Sequence, residues 1–228
     1  MSRQPTIWAI IPAFNVGRTL QAVIEGVLAQ SLPVLVVDDG SMDNTAAIAH
    51  RAGAHVLRAT RNRGKGHALV GGFRWALAQG ASHVLTLDGD QQHDPSEIPR
   101  FLALAKSADL VIGRRELDAS HMPSTRLLGN RVSTFFIGLF CGSPMADTQC
   151  GFRLYSRELL SGVPLNGGRF ETESELLIRA HRLGFTVRWA PIETIYVDGA
   201  QSNFDNINDT LRVIATLLSS LNYPGERR

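Results

Sequence analysis

From Ile7 to Asp109 the chain alternates short aliphatic runs with longer stretches of helical character. The runs are IWAII, VLVVD, HVLRA, HVLTLD and DLVIG, each of strand length and rich in β-branched residues. One intervening helix carries its own punctuation: Ser41 and Asp43 stand before Thr45–Ala52, and Gly53 follows as a stop. Strands separated by helices predict a mostly parallel sheet. Runs with no polar face, such as Val34–Val37, suit strands covered on both sides. The expected class is α/β, with a Rossmann-like, doubly wound sheet between helices on both faces. Ligands of such sheets gather at the carboxyl ends of the strands. After Gly113 the pattern changes to a basic, loop-like stretch, an apolar helix near Leu127–Phe140, and a segment broken by Gly and Pro as far as Phe170. Near the end, Ile207, Leu211, Ile214, Leu218 and Leu221 recur at helical spacing and predict an amphipathic helix before a polar tail, Asn222–Arg228.

Composition narrows the class without naming a partner. The 228 residues, 44% hydrophobic and 19% charged, suffice for one domain with a real core. Lys and Arg number 23 against 21 Asp and Glu, a net +2 that is too balanced for a protein living on phosphate neutralisation, so nucleic acid is not an expected partner. Two cysteines, Cys141 and Cys150, neither staple a chain of this length nor make a metal site alone, and they fit a reducing compartment. The apolar N-terminal stretch reaches Pro12 without a small-residue cleavage site and reads as a strand rather than a signal peptide. No window approaches the roughly 20 apolar residues needed to cross a bilayer. The expectation is a cytoplasmic protein whose membrane contact is peripheral.

Candidate chemistry clusters at predicted strand ends. The strongest signal is LTLDGDQQHDP, where a strand runs directly into Asp88, Gly89, Asp90, Gln91, Gln92 and His93. Two carboxylates one residue apart, with an amide oxygen two further on, are hard ligands suited to Mg²⁺ or Mn²⁺ bridging a diphosphate. The plainer reading is a helix-capping turn with solvated side chains. A second acidic pair, Asp38 and Asp39, ends VLVVDDGS, where carboxylates can accept from a base N–H or a ribose hydroxyl, or simply cap the next helix. In TRNRGKGHALVGG, Gly64 and Gly66 flank Lys65 at a helix start, whose dipole and N–H groups can hold a diphosphate with Lys65 as a point charge. The basic residues Arg114, Arg115, Arg126 and Arg131 bracket the apolar helix and suit a phosphate, or a solvated surface. Further on lie Asp147 and Arg153 in DTQCGFRLY, and Glu171, Glu173 and Glu175 in RFETESELL. His67, His83 and His93 show no metal-ligand spacing.

Taken in order, IIPAFN, VVDDGS, NRGKGHAL, DGDQQHDP, DTQCGFRLY and PIETIYVDGAQSNF resemble family 2 glycosyltransferases, above all the dolichyl and polyprenyl phosphate mannose or glucose synthases. The likeness spans about residues 7 to 215. It implies a GT-A fold over a single domain, 1–228, with a nucleotide-sugar half of about 5–113 and an acceptor half of about 114–221. By the same resemblance Pro12, Ala13, Asn15, Asp38, Asp39, Lys65 and Asp88 would line the donor nucleotide. Asp88, Asp90 and Gln92 would hold the metal, while Arg126, Arg131 and Arg153 would face the acceptor phosphate. Two features depart from the family pattern. Phe14, Asn15 and Val16 stand where many relatives have Tyr-Asn-Glu, so one nucleotide-binding carboxylate is missing; and the C-terminal transmembrane helices of several relatives have no counterpart. Either a membrane-embedded partner or the amphipathic helices would bring the chain to its lipid.

The reaction expected is an inverting displacement. The acceptor phosphate attacks the anomeric carbon, and the leaving nucleoside diphosphate is stabilised by the metal and Lys65. A phosphate monoester, with a second pKa of about 6, is already largely ionised and needs alignment rather than a strong base. Asp90, Asp147 and Arg131 are the catalytic candidates. A sugar hydroxyl as acceptor would instead require a carboxylate such as Asp147 or Glu173 to take a proton. A nucleotidyltransferase of similar architecture and a non-catalytic sugar-nucleotide-binding module are the remaining readings.

Overall fold

The computed structural model describes residues 6–115, 124–165, 171–193 and 195; of 124–131 and 171 the backbone alone is described. Seven strands form one sheet: β1 (Ile7–Ala13), β2 (Val34–Asp38), β3 (His55–Arg58), β4 (His83–Thr86), β5 (Leu110–Arg115), β6 (Arg153–Ser156) and β7 (Val187–Ile192). Their order is β3-β2-β1-β4-β6-β5-β7. All neighbours run parallel except β6, which is antiparallel to both β4 and β5. The five expected strands are β1 to β5, and the doubly wound, mostly parallel layer is as the sequence predicts.

The helices are α1 (Leu20–Ala29), α2 (Thr45–Arg51), α3 (Lys65–Ala78), α4 (Ile98–Leu104), α5 (Ser124–Cys141), α6 (Arg157–Gly162) and α7 (Glu171–Arg182). Periodicity explains how they seat. In α1 the buried residues are Leu20, Val23, Ile24 and Val27, an i, i+3, i+4, i+7 stripe. In α3 Leu69, Gly72, Phe73 and Ala76 repeat that spacing. Gly72 lets α3 lie close on the sheet, since a Cβ there would meet Ile10 Cγ2 at 2.8 Å. Asp43 Oδ1 accepts from Thr45 N at 3.0 Å and so caps the start of α2. Gly53, at φ +89°, ends the turn behind α2.

The segment read as broken by Gly and Pro holds β6 and α6. Two observations explain why it escaped the pattern. β6 is four residues long and opens on an arginine, Arg153, which is fully buried. Ser156, capping α6, accepts from Leu159 N at 3.1 Å, a signal hidden among loop-like residues. The predicted helix near 127–140 is α5, longer at both ends. The amphipathic helix expected over 207–221 lies outside the described residues.

The order β2-β1-β4 brings strand ends together. Ala13 pairs with Asp38 across β1 and β2, and Ile10 with Thr86 across β1 and β4. The chain leaves β1 towards β2 on one side and reaches β4 on the other, which opens a crevice beyond their carboxyl ends.

Candidate active site

Asp88 and Asp90 follow β4 directly into this crevice, on either side of buried Gly89. Thr19 Oγ1 donates to Gly89 O at 2.6 Å, tying the turn to the start of α1. Gln91 takes the left-handed conformation, φ +63°, and this sharp reversal lets Gln92 fold back. Gln92 N reaches Asp90 Oδ1 at 3.1 Å and its Nε2 reaches Oδ2 at 2.9 Å. Gln92, expected as a third oxygen ligand, thus donates twice to Asp90.

Lys65 meets Asp88 across the crevice. Its Nζ lies 2.7 Å from Asp88 Oδ1 and 3.1 Å from Glu173 Oε2 at the start of α7. The approach is so close that a Cβ on Gly151 would fall 2.6 Å from Asp88 Oδ2 and 2.9 Å from Lys65 Nζ. Thr86 Oγ1 donates to Gly151 O at 3.0 Å and locks this glycine in place. His93 is buried, 3.8 Å from Asp88 Oδ2 through Nε2, and tilts against Phe152. At that distance it is an electrostatic neighbour rather than a hydrogen-bond donor.

The two carboxylates of the turn are driven apart. Burial alone would raise Asp88, but the Lys65 ammonium beside it holds the carboxyl far below the usual range. Asp90 moves the other way, raised first by burial and then by the negative charge of Asp88. Lys65, held by Asp88 and Glu173 against the cost of burial, stays firmly protonated.

Other expected nucleotide residues have structural partners of their own. Asp39 accepts from Arg63 N at 3.0 Å and from Gly64 N at 2.6 Å, pinning the loop that opens α3. Asp38 accepts from Ser41 N at 2.8 Å and lies 3.2 Å from Arg58 Nε. Asn15, left-handed at φ +53°, takes Ser41 Oγ on its N–H at 2.9 Å and accepts from Met42 N through Oδ1 at 3.0 Å. These residues tie the loops after β1 and β2 to each other, while Pro12 and Ala13 form the carboxyl end of β1. Each lies beside the crevice, and each spends polar groups on building it.

Arg153 departs furthest from expectation. Rather than facing an acceptor phosphate, it is 1% exposed, with Nε donating to Cys150 O at 2.7 Å, Nη2 to Thr148 O at 2.8 Å and Nη1 to Glu173 O at 2.8 Å. A guanidinium committed to three carbonyls braces the loop 148–150 against α7. Asp147 likewise makes a buried, bidentate pair with Arg115, at 2.7 Å from Nε and 3.1 Å from Nη2. Burial would raise its carboxyl, but Arg115 and its hydrogen bonds hold it below the ordinary value, which makes it a poor proton acceptor. Arg114 is exposed. Arg126 and Arg131 lie on α5, and their side chains fall outside the described residues.

Sequence reasoning passed over Glu173 as a partner of Lys65, Arg115 as a partner of Asp147, and His93 beside Asp88. Glu173 and Arg115 lie far from their partners in the chain, so no spacing could announce those contacts, whereas His93 stands in the same DGDQQHDP stretch as Asp88.

Comparison with known proteins places this geometry. Residues 8–163 match the family described as Glycosyl transferase family 2. An undecaprenyl-phosphate mannosyltransferase of Micrococcus luteus is 31% identical over 82% of this chain and 82% of its own. A UDP-N-acetylglucosamine–dolichyl-phosphate N-acetylglucosaminyltransferase of Methanococcus voltae is 28% identical over 93% of this chain and 94% of its own. Among solved structures, glucosyl-3-phosphoglycerate synthase from Mycobacterium tuberculosis, in complex with Mn²⁺, UDP and phosphoglyceric acid, superposes with a TM-score of 0.78. The match covers 97% of this chain and 80% of that one at 23% identity, and shows a shared GT-A fold. With the matched family spanning β1 to β6 and both acidic strand ends, the chain belongs to glycosyl transferase family 2.

Proposed function

We propose that the protein transfers a hexose from a nucleotide sugar, of the GDP-mannose or UDP-glucose type, to a polyprenyl or dolichyl phosphate, with inversion at the anomeric carbon. The observation that carries this reading is the convergence of Asp88, Asp90 and Lys65 on one crevice at the β1–β4 switch point, in a chain of this family. Relatives named for transfer to undecaprenyl and dolichyl phosphate, aligned over most of both chains, support the acceptor.

A divalent cation fits the residues present. Asp88 and Asp90 offer hard oxygen ligands, and a cation between the pair would relieve both the burial and the Asp88 charge that raise the carboxyl of Asp90. Among the described residues no group of three His, Cys, Asp or Glu is disposed to hold a metal, so the protein supplies a partial ligand set that a diphosphate would complete. When bound, Mg²⁺ or Mn²⁺ would supply Lewis-acid stabilisation of the leaving diphosphate. Lys65 adds a fixed positive charge on the same side. Asn15, Asp38 and Asp39 shape the loops against which the nucleotide lies. In this reading Arg126 and Arg131 of α5 grasp the acceptor phosphate, Arg153 braces the site from behind, and Asp147 orients Arg115. An acceptor already ionised needs no base, which agrees with Asp147 being committed to Arg115.

No helix among the described residues is long and apolar enough to cross a membrane. We place the enzyme peripherally, on the cytoplasmic face, where it meets the lipid phosphate directly or through a membrane-protein partner. The test is a panel of GDP-mannose, UDP-glucose and related donors with Mn²⁺ or Mg²⁺ and a short polyprenyl phosphate. Glycolipid and nucleoside diphosphate formed in equal amounts from one donor is the expected result. Diphosphate release with no glycolipid would overturn the acceptor. Arg131→Ala should weaken use of the lipid phosphate while leaving donor binding intact.

A further inference from the structure

Lys65 shares Asp88 with the cation assigned to that carboxylate above, and it also has a second place to go. Its Nζ bridges Asp88 Oδ1 at 2.7 Å and Glu173 Oε2 at 3.1 Å. The other oxygen of Glu173, Oε1, is buried without a hydrogen bond and faces Arg153 Nε at 3.9 Å. A buried acceptor lacking a donor is costly, and a shift of the ammonium from Asp88 towards Glu173 would satisfy it. The backbone at Glu173 is held in place. Its carbonyl is fixed by Arg153 Nη1 at 2.8 Å, and that guanidinium is anchored at Cys150 O and Thr148 O. Gly151 borders the pair closely, since a Cβ there would fall within 3 Å of both Asp88 Oδ2 and Lys65 Nζ. Two carboxylates, Asp88 and Glu173, therefore meet one ammonium whose place can vary between them.

We propose that Lys65 and the divalent cation compete for Asp88, and that Glu173 is the positioning residue that receives Lys65 when the cation binds. The Lys65–Glu173 pair thereby sets the metal affinity of the site, and keeps the ammonium beside the crevice to act on the diphosphate. This rests on the cation reading above. It goes further by giving a lysine of the site a sign opposite to that of a simple helper: removing it tightens metal binding.

The test uses Mn²⁺ alone, titrated into the full chain and followed by the electron paramagnetic resonance signal of the free aquo ion. Lys65→Met should bind Mn²⁺ on the order of tenfold more tightly than the wild type, since one charge-assisted hydrogen bond no longer competes. Glu173→Gln should bind it more weakly by about threefold or more, because Lys65 is then left to Asp88 alone. In a Lys65→Met background the Glu173→Gln change should have little further effect, as expected of a residue acting through Lys65. A Lys65→Met affinity equal to or weaker than wild type overturns the competition. A Glu173→Gln effect undiminished in the double variant overturns the positioning role, leaving only charge acting through space. Should Glu173→Gln fail to fold, Lys65→Met still carries the sign. If neither wild type nor Lys65→Met binds Mn²⁺, even with UDP or GDP added, the cation reading itself fails and this inference falls with it.

Discussion

Asp147→Asn separates a structural from a catalytic role for the acid in DTQCGFRLY. The wild-type carboxylate is 3% exposed and holds Arg115 at 2.7 and 3.1 Å, while accepting from Gln149 N at 3.0 Å. Asparagine keeps an oxygen for Gln149 but removes the charge, leaving a buried guanidinium uncompensated. Breaking one side of a buried pair costs about 3–5 kcal/mol, and the retained acceptor argues for about 3. For a chain of this size that lowers Tm by roughly 6–12 °C. The pH dependence carries a sign. The folded pKa of Asp147 is depressed, so its contribution is present above the unfolded value, about 4, and is lost as pH falls through the lower folded value. The gap in stability between wild type and variant should be constant from neutral pH down to about pH 5 and narrow below that. Thermal and urea unfolding across this range, followed by circular dichroism, measures it. A variant with wild-type Tm whose turnover collapses would refute the reasoning and return Asp147 to the reacting atoms.

Asp90→Ala should lower metal-dependent turnover on the order of a hundredfold with Tm unchanged, read as nucleoside diphosphate release, because one electrostatic group at the leaving diphosphate is worth about 3 kcal/mol. Gly151→Ala should fold yet lose at least about tenfold in kcat/KM, since its methyl would stand 2.6 Å from Asp88 Oδ2 and 2.9 Å from Lys65 Nζ and must push both aside. Burial pushes the Cys141 thiol up to about 11 and Cys150 up to about 12, so iodoacetamide at pH 8 should label neither in the native protein and both after unfolding. Labelling of the native protein at Cys150 would contradict its packing against Phe152 and Gly113.

How far the fold could be read from the chain follows from how local each signal is. β1, β2 and β4 are apolar runs, the last two ending in polar residues, and the stripe of α1 is set by residues within two turns of each other. Such elements announce themselves because burial on both faces, or along one stripe, fixes composition at short range. β6 does not, since it pairs antiparallel with β4 and β5 and its first residue is a buried arginine. Only the three carbonyls that receive Arg153 make a charge tolerable there, and one of them, on Glu173, lies 20 residues away in the chain.

The same distinction runs through the site and explains its errors. Asp88, Asp90 and Lys65 were legible because each ends a strand or opens a helix, and the parallel sheet delivers those termini to one crevice. What each side chain does there depends on contacts across elements. An arginine near a candidate site is worth expecting on phosphate, yet Arg153 satisfies carbonyls and Arg115 satisfies Asp147. Both are spent on holding the loop 147–151; through Arg153 that loop fixes the backbone at Glu173, and at Gly151 it leaves just the room that Asp88 and Lys65 occupy. These buried charges are thus the frame that keeps two carboxylates around one ammonium. A frame of that kind has a reason to be rigid: like charges gathered in a crevice would otherwise spread apart, and the cation site proposed for them would be lost.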